Sequence, residues 1–198
     1  ARAEAMERAA EKNPGTMASI LGLEQKLCEE VARESECQVA NLNSPDQIVL
    51  SGTQASIEKA CKLAEQKGAK RAIPLKVGGA FHSSLMEPAK VDLEKALAET
   101  RIEKPVCSFV PNATAAKTEK PEEIRLLLAR QLTSSVRWFE TMAEAASEGI
   151  TFFLEICPGK VLKGLAKKCQ PQFSIEPCGT VPDFEKLEQS MSRVETGK

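Results

Sequence analysis

Cys37-Gln38-Val39-Ala40-Asn41-Leu42-Asn43-Ser44-Pro45-Asp46-Gln47-Ile48-Val49-Leu50-Ser51-Gly52 is the stretch from which the first part of the chain takes its order. Residues 37–42 and 47–52 carry the apolar and β-branched composition that suits a half-buried pleated surface. Between them, Asn43-Ser44-Pro45-Asp46 predicts a tight turn. Asn and Ser can bond the local backbone, and Pro45 sets the bend. The stretch therefore predicts a hairpin. Upstream, the apolar run 17–23 predicts a strand, and 24–33 a helix with Leu27, Val31 and Ala32 inward. Downstream, 56–68 is amphipathic, with Ile57, Ala60, Cys61 and Ala64 on one face and Gly68 as its stop. Residues 71–77 predict a further strand. Strand–helix–strand–strand–helix–strand between Met17 and Leu75 is the split βαβ order of a ferredoxin-like unit. A small subdomain is thus expected at 17–75, inserted into a larger one made of 1–16 and 76–198.

Beyond that unit the pattern becomes alternating helix and strand. Helices are expected at 88–99, with Val91, Leu93, Ala96 and Leu97 inward, and at 121–132, 138–148, 160–168 and 183–194. Strands are expected at 106–110, 151–156 and 174–177. Such alternation predicts an α/β fold, a parallel sheet with helices on both faces. At the other end, residues 1–12 are strong helix formers without a cap or an initiator Met, so the chain is expected to start inside a helix, as a fragment does. Asn13-Pro14-Gly15 is its exit turn.

Composition narrows the function classes. A chain of 198 residues buries about 70% of its unfolded surface. A net charge of −1 argues against a basic nucleic-acid footprint, and scarce aromatics, with one Trp and no Tyr, argue against base-stacking platforms. The seven cysteines, Cys28, Cys37, Cys61, Cys107, Cys157, Cys169 and Cys178, are odd in number and form no C-x-x-C pair. They predict reduced thiols in the cytoplasm, or in an organellar stroma or matrix. One histidine and scattered thiols give zinc no ligand set, so neither a metal nor a cofactor is expected. No apolar run approaches the ~18 residues that cross a bilayer, and no membrane partner is expected.

Chemistry concentrates at Gly78-Gly79-Ala80-Phe81-His82-Ser83-Ser84-Leu85-Met86, which holds the only histidine. It lies between a predicted strand and a predicted helix, a common place for reacting groups. Gly78 and Gly79 allow unusual backbone angles or close approach. Imidazole is the side chain best suited to proton transfer near neutral pH. A lone loop histidine is often only a satisfied polar residue or a solvent-facing one.

Several stretches resemble the malonyl-CoA:acyl carrier protein transacylase family of acyltransferases. They are Arg2 with Met6, Asn41-Leu42-Asn43-Ser44-Pro45-Asp46-Gln47, Gly68-Ala69-Lys70-Arg71, Gly79-Ala80-Phe81-His82-Ser83, Ala129-Arg130-Gln131-Leu132-Thr133-Ser134, Val136-Arg137-Trp138 and Pro158-Gly159-Lys160-Val161-Leu162. They span nearly the whole chain in the family's order. The resemblance implies an incomplete α/β-hydrolase-like parallel sheet carrying the ferredoxin-like insertion. It also implies malonyl transfer from CoA to the phosphopantetheine thiol of an acyl carrier protein, in fatty acid biosynthesis, through a serine ester. The family's G-H-S-L-G nucleophile elbow and its upstream glutamine loop do not occur in this sequence, so turnover by this chain is not expected. Ser83 is no substitute in the family pattern.

What the resemblance implies for residues is specific. His82 matches the general base, and the backbone carbonyl of Gln131 its Nδ1 partner. Arg2 matches the malonyl carboxylate clamp, where a planar guanidinium suits a two-point contact. Phe81 matches a position whose bulk disfavours an α-methyl group. Asn41, Asn43 and Gln47 match polar residues near the substrate entrance. Lys70 and Arg71 match a basic pair facing CoA phosphates and the acidic carrier. Each has a plainer alternative: a surface arginine, a solvent-facing glutamine, hairpin chemistry, a solvated charge pair. Cys157 stands where the family usually has glycine. A monomer is expected. A segment of a polyketide or fatty acid synthase, a non-catalytic carrier-binding module and a serine hydrolase are the competing readings.

Overall fold

The computed structural model describes residues 1–195. Residues 196–198, assigned from sequence to the larger subdomain, lie outside the described residues. The fold is mixed α/β. Two compact units are formed, Ala1–Thr141 and Met142–Lys198. The borders expected from sequence, at 16/17 and 75/76, fall inside the first unit.

In the first unit, α1 (Arg2–Lys12) leads into β1 (Thr16–Leu21), α2 (Gln25–Glu34), β2 (Gln38–Ser44), β3 (Gln47–Gly52), α3 (Gln54–Gln66) and β4 (Arg71–Pro74). The four strands form one sheet in the order β2-β3-β1-β4, every neighbouring pair antiparallel. Ala18 and Ile20 of β1 and Ile48 and Leu50 of β3 pack with Cys28 and Val31 of α2 and Ile57, Ala60 and Ala64 of α3. Met17, Ala40 and Val49 are buried as well, with Leu75 and Phe81 packed against them. The middle strands are therefore buried along nearly their whole length. Thr53 caps α3 by accepting the amide of Ser56 at 3.1 Å.

After a short 3-10 turn at Ser84–Met86 come α4 (Glu87–Glu99) and α5 (Pro121–Arg130). Pro121 occupies the first helical turn, where its missing N–H is tolerated. Ala5 and Ala9 of α1 pack with Met86, Ala89, Leu93, Leu97, Ala129 and Leu132. The small residues let the helices come close. α6 (Trp138–Ser147) follows. In the second unit, β5 (Phe152–Glu155) pairs in parallel with β6 (Ser174–Pro177), while α7 (Val161–Cys169) lies between them in sequence and α8 (Val181–Glu195) follows.

Several expectations are corrected. β2 runs on to Ser44, so the turn shrinks to Pro45 and Asp46, with Ser44 Oγ donating to Asp46 Oδ1 at 2.6 Å. β2 also carries register shifts near Ala40 and Asn43, which the sequence does not announce. β4 stops at Pro74, where the ladder loses a donor. Val91 is 71% exposed. The inward face of α4 is instead Ala89, Leu93 and Leu97, the i, i+4, i+8 row that meets α1. No strand forms at 106–110. Val106 is fully exposed, Pro105 and Pro111 offer no N–H, and only Phe109 bridges to Thr118. Among the described residues, β5 and β6 are the one parallel strand pair, and Asn41 and Val136 add an isolated parallel bridge.

Leu132→Ala is expected to cost about 2–5 kcal/mol, because its fully buried side chain would leave a cavity among three helices. Val91→Ala should stay within about 0.5 kcal/mol. Urea unfolding midpoints of the two variants measure the contrast.

Candidate active site

The His82 loop is held from several sides. Gly79 passes so close to α1 that a Cβ there would come within 2.7 Å of the Ala10 methyl. Gly78 has open space. Neither glycine uses positive φ; the left-handed conformation falls on His82 itself, at φ 58. A residue with a Cβ adopts that region only where its surroundings enforce it. Ser83 supplies part of the enforcement. It is buried, its Oγ donates to Ala80 O at 2.6 Å, and the same oxygen accepts the Leu85 amide at 3.3 Å. Asn13, in the turn after α1, donates to Leu85 O at 3.0 Å. The Ser83 hydroxyl is thus committed to the loop.

His82 Nδ1 lies 2.9 Å from the backbone oxygen of Gln131, at the C-terminal end of α5. A carbonyl only accepts, so Nδ1 carries the proton and Nε2 remains the basic nitrogen. The Gln131 side chain turns back on the following residues, its Nε2 donating to Ser134 O at 2.9 Å and Ser135 O at 3.4 Å. Ser135 Oγ donates to Val39 O at 2.5 Å. Val136 then pairs with β2: its amide donates to Ala40 O at 2.8 Å, and its carbonyl accepts the Leu42 amide at 2.9 Å. The Arg137 guanidinium donates to Thr114 O at 3.0 Å and pairs with Glu140. The acceptor of the imidazole proton is therefore anchored to the edge of the four-stranded sheet.

Burial is the main force that pulls the His82 pKa below its ordinary value, and the charge of Arg2 acts in the same direction. The carbonyls of Gln131 and Ser134 oppose them by accepting from the charged ring. The fold thus favours a neutral imidazole. Two cavities adjoin the loop. One, of about 800 Å³, is lined by His82 together with Gln38, Thr133, Ser134 and several cations of α2 and of residues 130–137. The other, of about 700 Å³, is lined by Arg2, Met6, Ala10, Gly78 and Phe81.

The structure brings together His82, Gln131, Arg2 and Phe81. It does not bring the other expected residues to these two cavities. Asn41 sits half-buried beside Val136. Asn43 is buried in β2, and Gln47 donates to Ser19 Oγ across the sheet at 3.3 Å. Lys70 and Arg71 are exposed where β4 begins, on the sheet edge opposite β2. Sequence reasoning missed Ser135, Lys26, Arg33, Arg130 and Arg137. The one signal for the last two was their place beside Gln131 and Trp138 in the quoted motifs.

The acyl transferase domain family matches residues 1–197. The chain is 42% identical over 172 residues to the malonyl CoA-acyl carrier protein transacylase of Bacillus subtilis (strain 168), covering 84% of this chain and 54% of that protein. It is 34% identical over 192 residues to the protein of the same name from Haemophilus influenzae, covering 95% and 62%. Among solved structures, MCAT from Streptococcus pneumoniae superposes with a TM-score of 0.89 at 35% identity, over 96% of this chain and 63% of that one. A malonyl-transacylase solved in complex with a type II PKS acyl-carrier protein gives 0.85 at 34% identity, over 95% and 62%. The chain thus spans between 54% and 63% of the length of these relatives.

The lone imidazole gives a single titration curve by NMR. Its midpoint is expected below about 6.5, and Arg2→Ala is expected to move it upward. Because the folded chain disfavours the protonated ring, the unfolded chain binds more protons in the window just below that pH. Stability from this group is full above the window and is lost as pH falls through it. Gly79→Ala should cost about 1–3 kcal/mol through overpacking against Ala10, whereas Gly78→Ala should be tolerated; thermal unfolding of the pair decides.

Proposed function

The chain belongs to the acyl transferase domain family, and from that premise we propose that it supplies the base and the substrate-recognition half of a malonyl transferase. The observation that carries the proposal is the His82 Nδ1 contact with the Gln131 carbonyl, beside an arginine close enough to act on the ring's charge. Serine is a poor nucleophile until a base removes its proton. His82 Nε2 would take that proton from an elbow serine upstream of this sequence as its oxygen attacks the thioester carbonyl. The ring would then protonate the departing CoA thiolate. In the second half, Nε2 takes the proton of the carrier protein's phosphopantetheine thiol, the thiolate attacks the serine ester, and the serine recovers its proton.

Arg2 is proposed to clamp the malonyl carboxylate. Phe81 narrows the same cavity and selects against an α-methyl group, a discrimination of about 1–3 kcal/mol. Asn41, Asn43 and Gln47 stand near the entrance on this proposal, and Lys70 and Arg71 steer the acidic carrier from outside. Residues 17–75 form a ferredoxin-like insertion, and 1–16 with 76–198 part of an α/β-hydrolase-like subdomain. The whole enzyme acts in fatty acid biosynthesis, as a cytoplasmic monomer.

The 198-residue chain should take up no ester-linked label from labelled malonyl-CoA, since no G-x-S-x-G occurs in it. Stable labelling would overturn the assignment of an upstream serine. In the longer enzyme that carries the elbow, His82→Ala should lower kcat by roughly 10³-fold or more. Arg2→Ala should weaken malonyl-CoA far more than a neutral thioester, with Arg2→Lys restoring only part of the loss.

A further inference from the structure

Both sides of the His82–Gln131 contact are tied to one short stretch of β2. On the loop side, Ser84–Met86 is a 3-10 turn whose amides need acceptors. Ser83 serves two of them, its Oγ accepting the Leu85 amide and its carbonyl the Met86 amide at 3.0 Å. The remaining acceptor comes from outside the loop. The Ser84 amide donates to Gln38 Oε1 at 2.5 Å, across 46 residues of sequence. On the carbonyl side, Ser135 Oγ donates to Val39 O and the Val136 amide to Ala40 O. Consecutive carbonyls of a regular strand point to opposite edges, yet adjacent residues 135 and 136 take those of Val39 and Ala40. β2 shifts register between Val39 and Asn41, and such a bulge re-aims the backbone locally. Gln38, Val39 and Ala40 therefore grip the histidine loop and the segment that follows its carbonyl partner.

We propose that Gln38 and Ser135 are positioning residues, which hold His82 Nδ1 on the Gln131 carbonyl by fastening each side to the bulged half of β2. Their use in catalysis rests on the acyl-transfer function proposed above. Both act through other groups. Gln38 acts through the Ser84 amide, close after His82, and Ser135 through the chain that leaves Gln131. His82 is held at φ 58, so a released loop relaxes toward a commoner conformation. Gln131 O belongs to the backbone and cannot follow the ring by a side-chain rotation. Misplacing a reacting group by about 1 Å can cost roughly 10²-fold in rate. A frame shared by both partners suits that tolerance, because any movement of the strand carries imidazole and carbonyl together.

In the 198-residue chain, ring nitrogen NMR shifts of the single imidazole report its tautomer. The neutral ring is expected as Nδ1–H. In Gln38→Met/Ser135→Ala, the ratio of Nδ1–H to Nε2–H rings should fall about tenfold, the worth of one or two hydrogen bonds. Ser135→Thr keeps the hydroxyl, and Gln38→Glu keeps an acceptor for the Ser84 amide; both should retain the Nδ1–H ring. Gln38 is exposed, so Gln38→Met alone carries the test if the double variant does not fold. In the longer enzyme that carries the elbow, the double variant should lower kcat about tenfold or more, with KM for malonyl-CoA little changed. A ring that stays Nδ1–H, whatever kcat does, overturns the inference and leaves the acyl-transfer proposal standing. A shifted tautomer with kcat unchanged upholds the positioning and overturns the role of His82 as base.

Discussion

A backbone carbonyl, not a carboxylate, holds the imidazole in this fold, and that choice constrains much of what surrounds it. The contact between His82 Nδ1 and Gln131 O sets the tautomer. A carbonyl cannot turn toward the ring as a side chain can, so its direction must come from the path of the chain. That path is fixed at both ends. α5 ends at Arg130, the Gln131 amide that caps it is still bonded to Leu127 O at 3.0 Å, and five residues on Val136 joins the β2 edge. The Gln131 side chain bonds back to the intervening carbonyls. The position of that acceptor therefore depends on the sheet as well as on the helix.

The other side of the contact is built to match. His82 sits at φ 58, a conformation of low intrinsic population for a residue with a Cβ. Ser83, Asn13 and the Gly79–Ala10 approach hold the loop in it. Phe81 is packed against both apolar clusters that meet here, one of helices and one from the sheet. A side chain shared by two clusters couples the loop to each. Flexibility from the two glycines is thus a weak description of their job: Gly79 allows contact, while the unusual angle is carried by the histidine.

The small sheet was legible because its signals are local. Periodicity placed α2 and α3, and Pro45 placed the hairpin, so the βαββαβ order followed from short segments, while the register shifts of β2 did not. The segment 106–110 was misread because composition describes a strand's fitness but not whether a neighbour pairs with it. At the site, His82, Gln131, Arg2 and Phe81 were reached through motif resemblance, and the structure places them together. Ser135 escaped notice because its role is a bond to Val39, 96 residues away in sequence. Glu155 escaped for a similar reason. It looks like an ordinary strand residue, yet its buried carboxylate accepts the amides of Leu162 and Lys163, both at 2.8 Å, at the start of α7. Cys157, two residues on, packs its thiol against that carboxylate at 3.5 Å, and Gly179 leaves no room for a Cβ beside its carbonyl.

The electrostatic logic of a neutral acceptor follows from the charge of the substrate proposed. A carboxylate on Nδ1 would raise the imidazole pKa and would also stand near an anionic acyl group, repelling it. A carbonyl stabilises the protonated ring less, so burial prevails and the neutral ring is favoured. Arg2 adds to that depression. If, as proposed, a carboxylate pairs with Arg2, its field at the ring would be largely cancelled, and the imidazole would become easier to protonate. The same arginine would thus keep the base free in the empty site and permit its charging in the filled one.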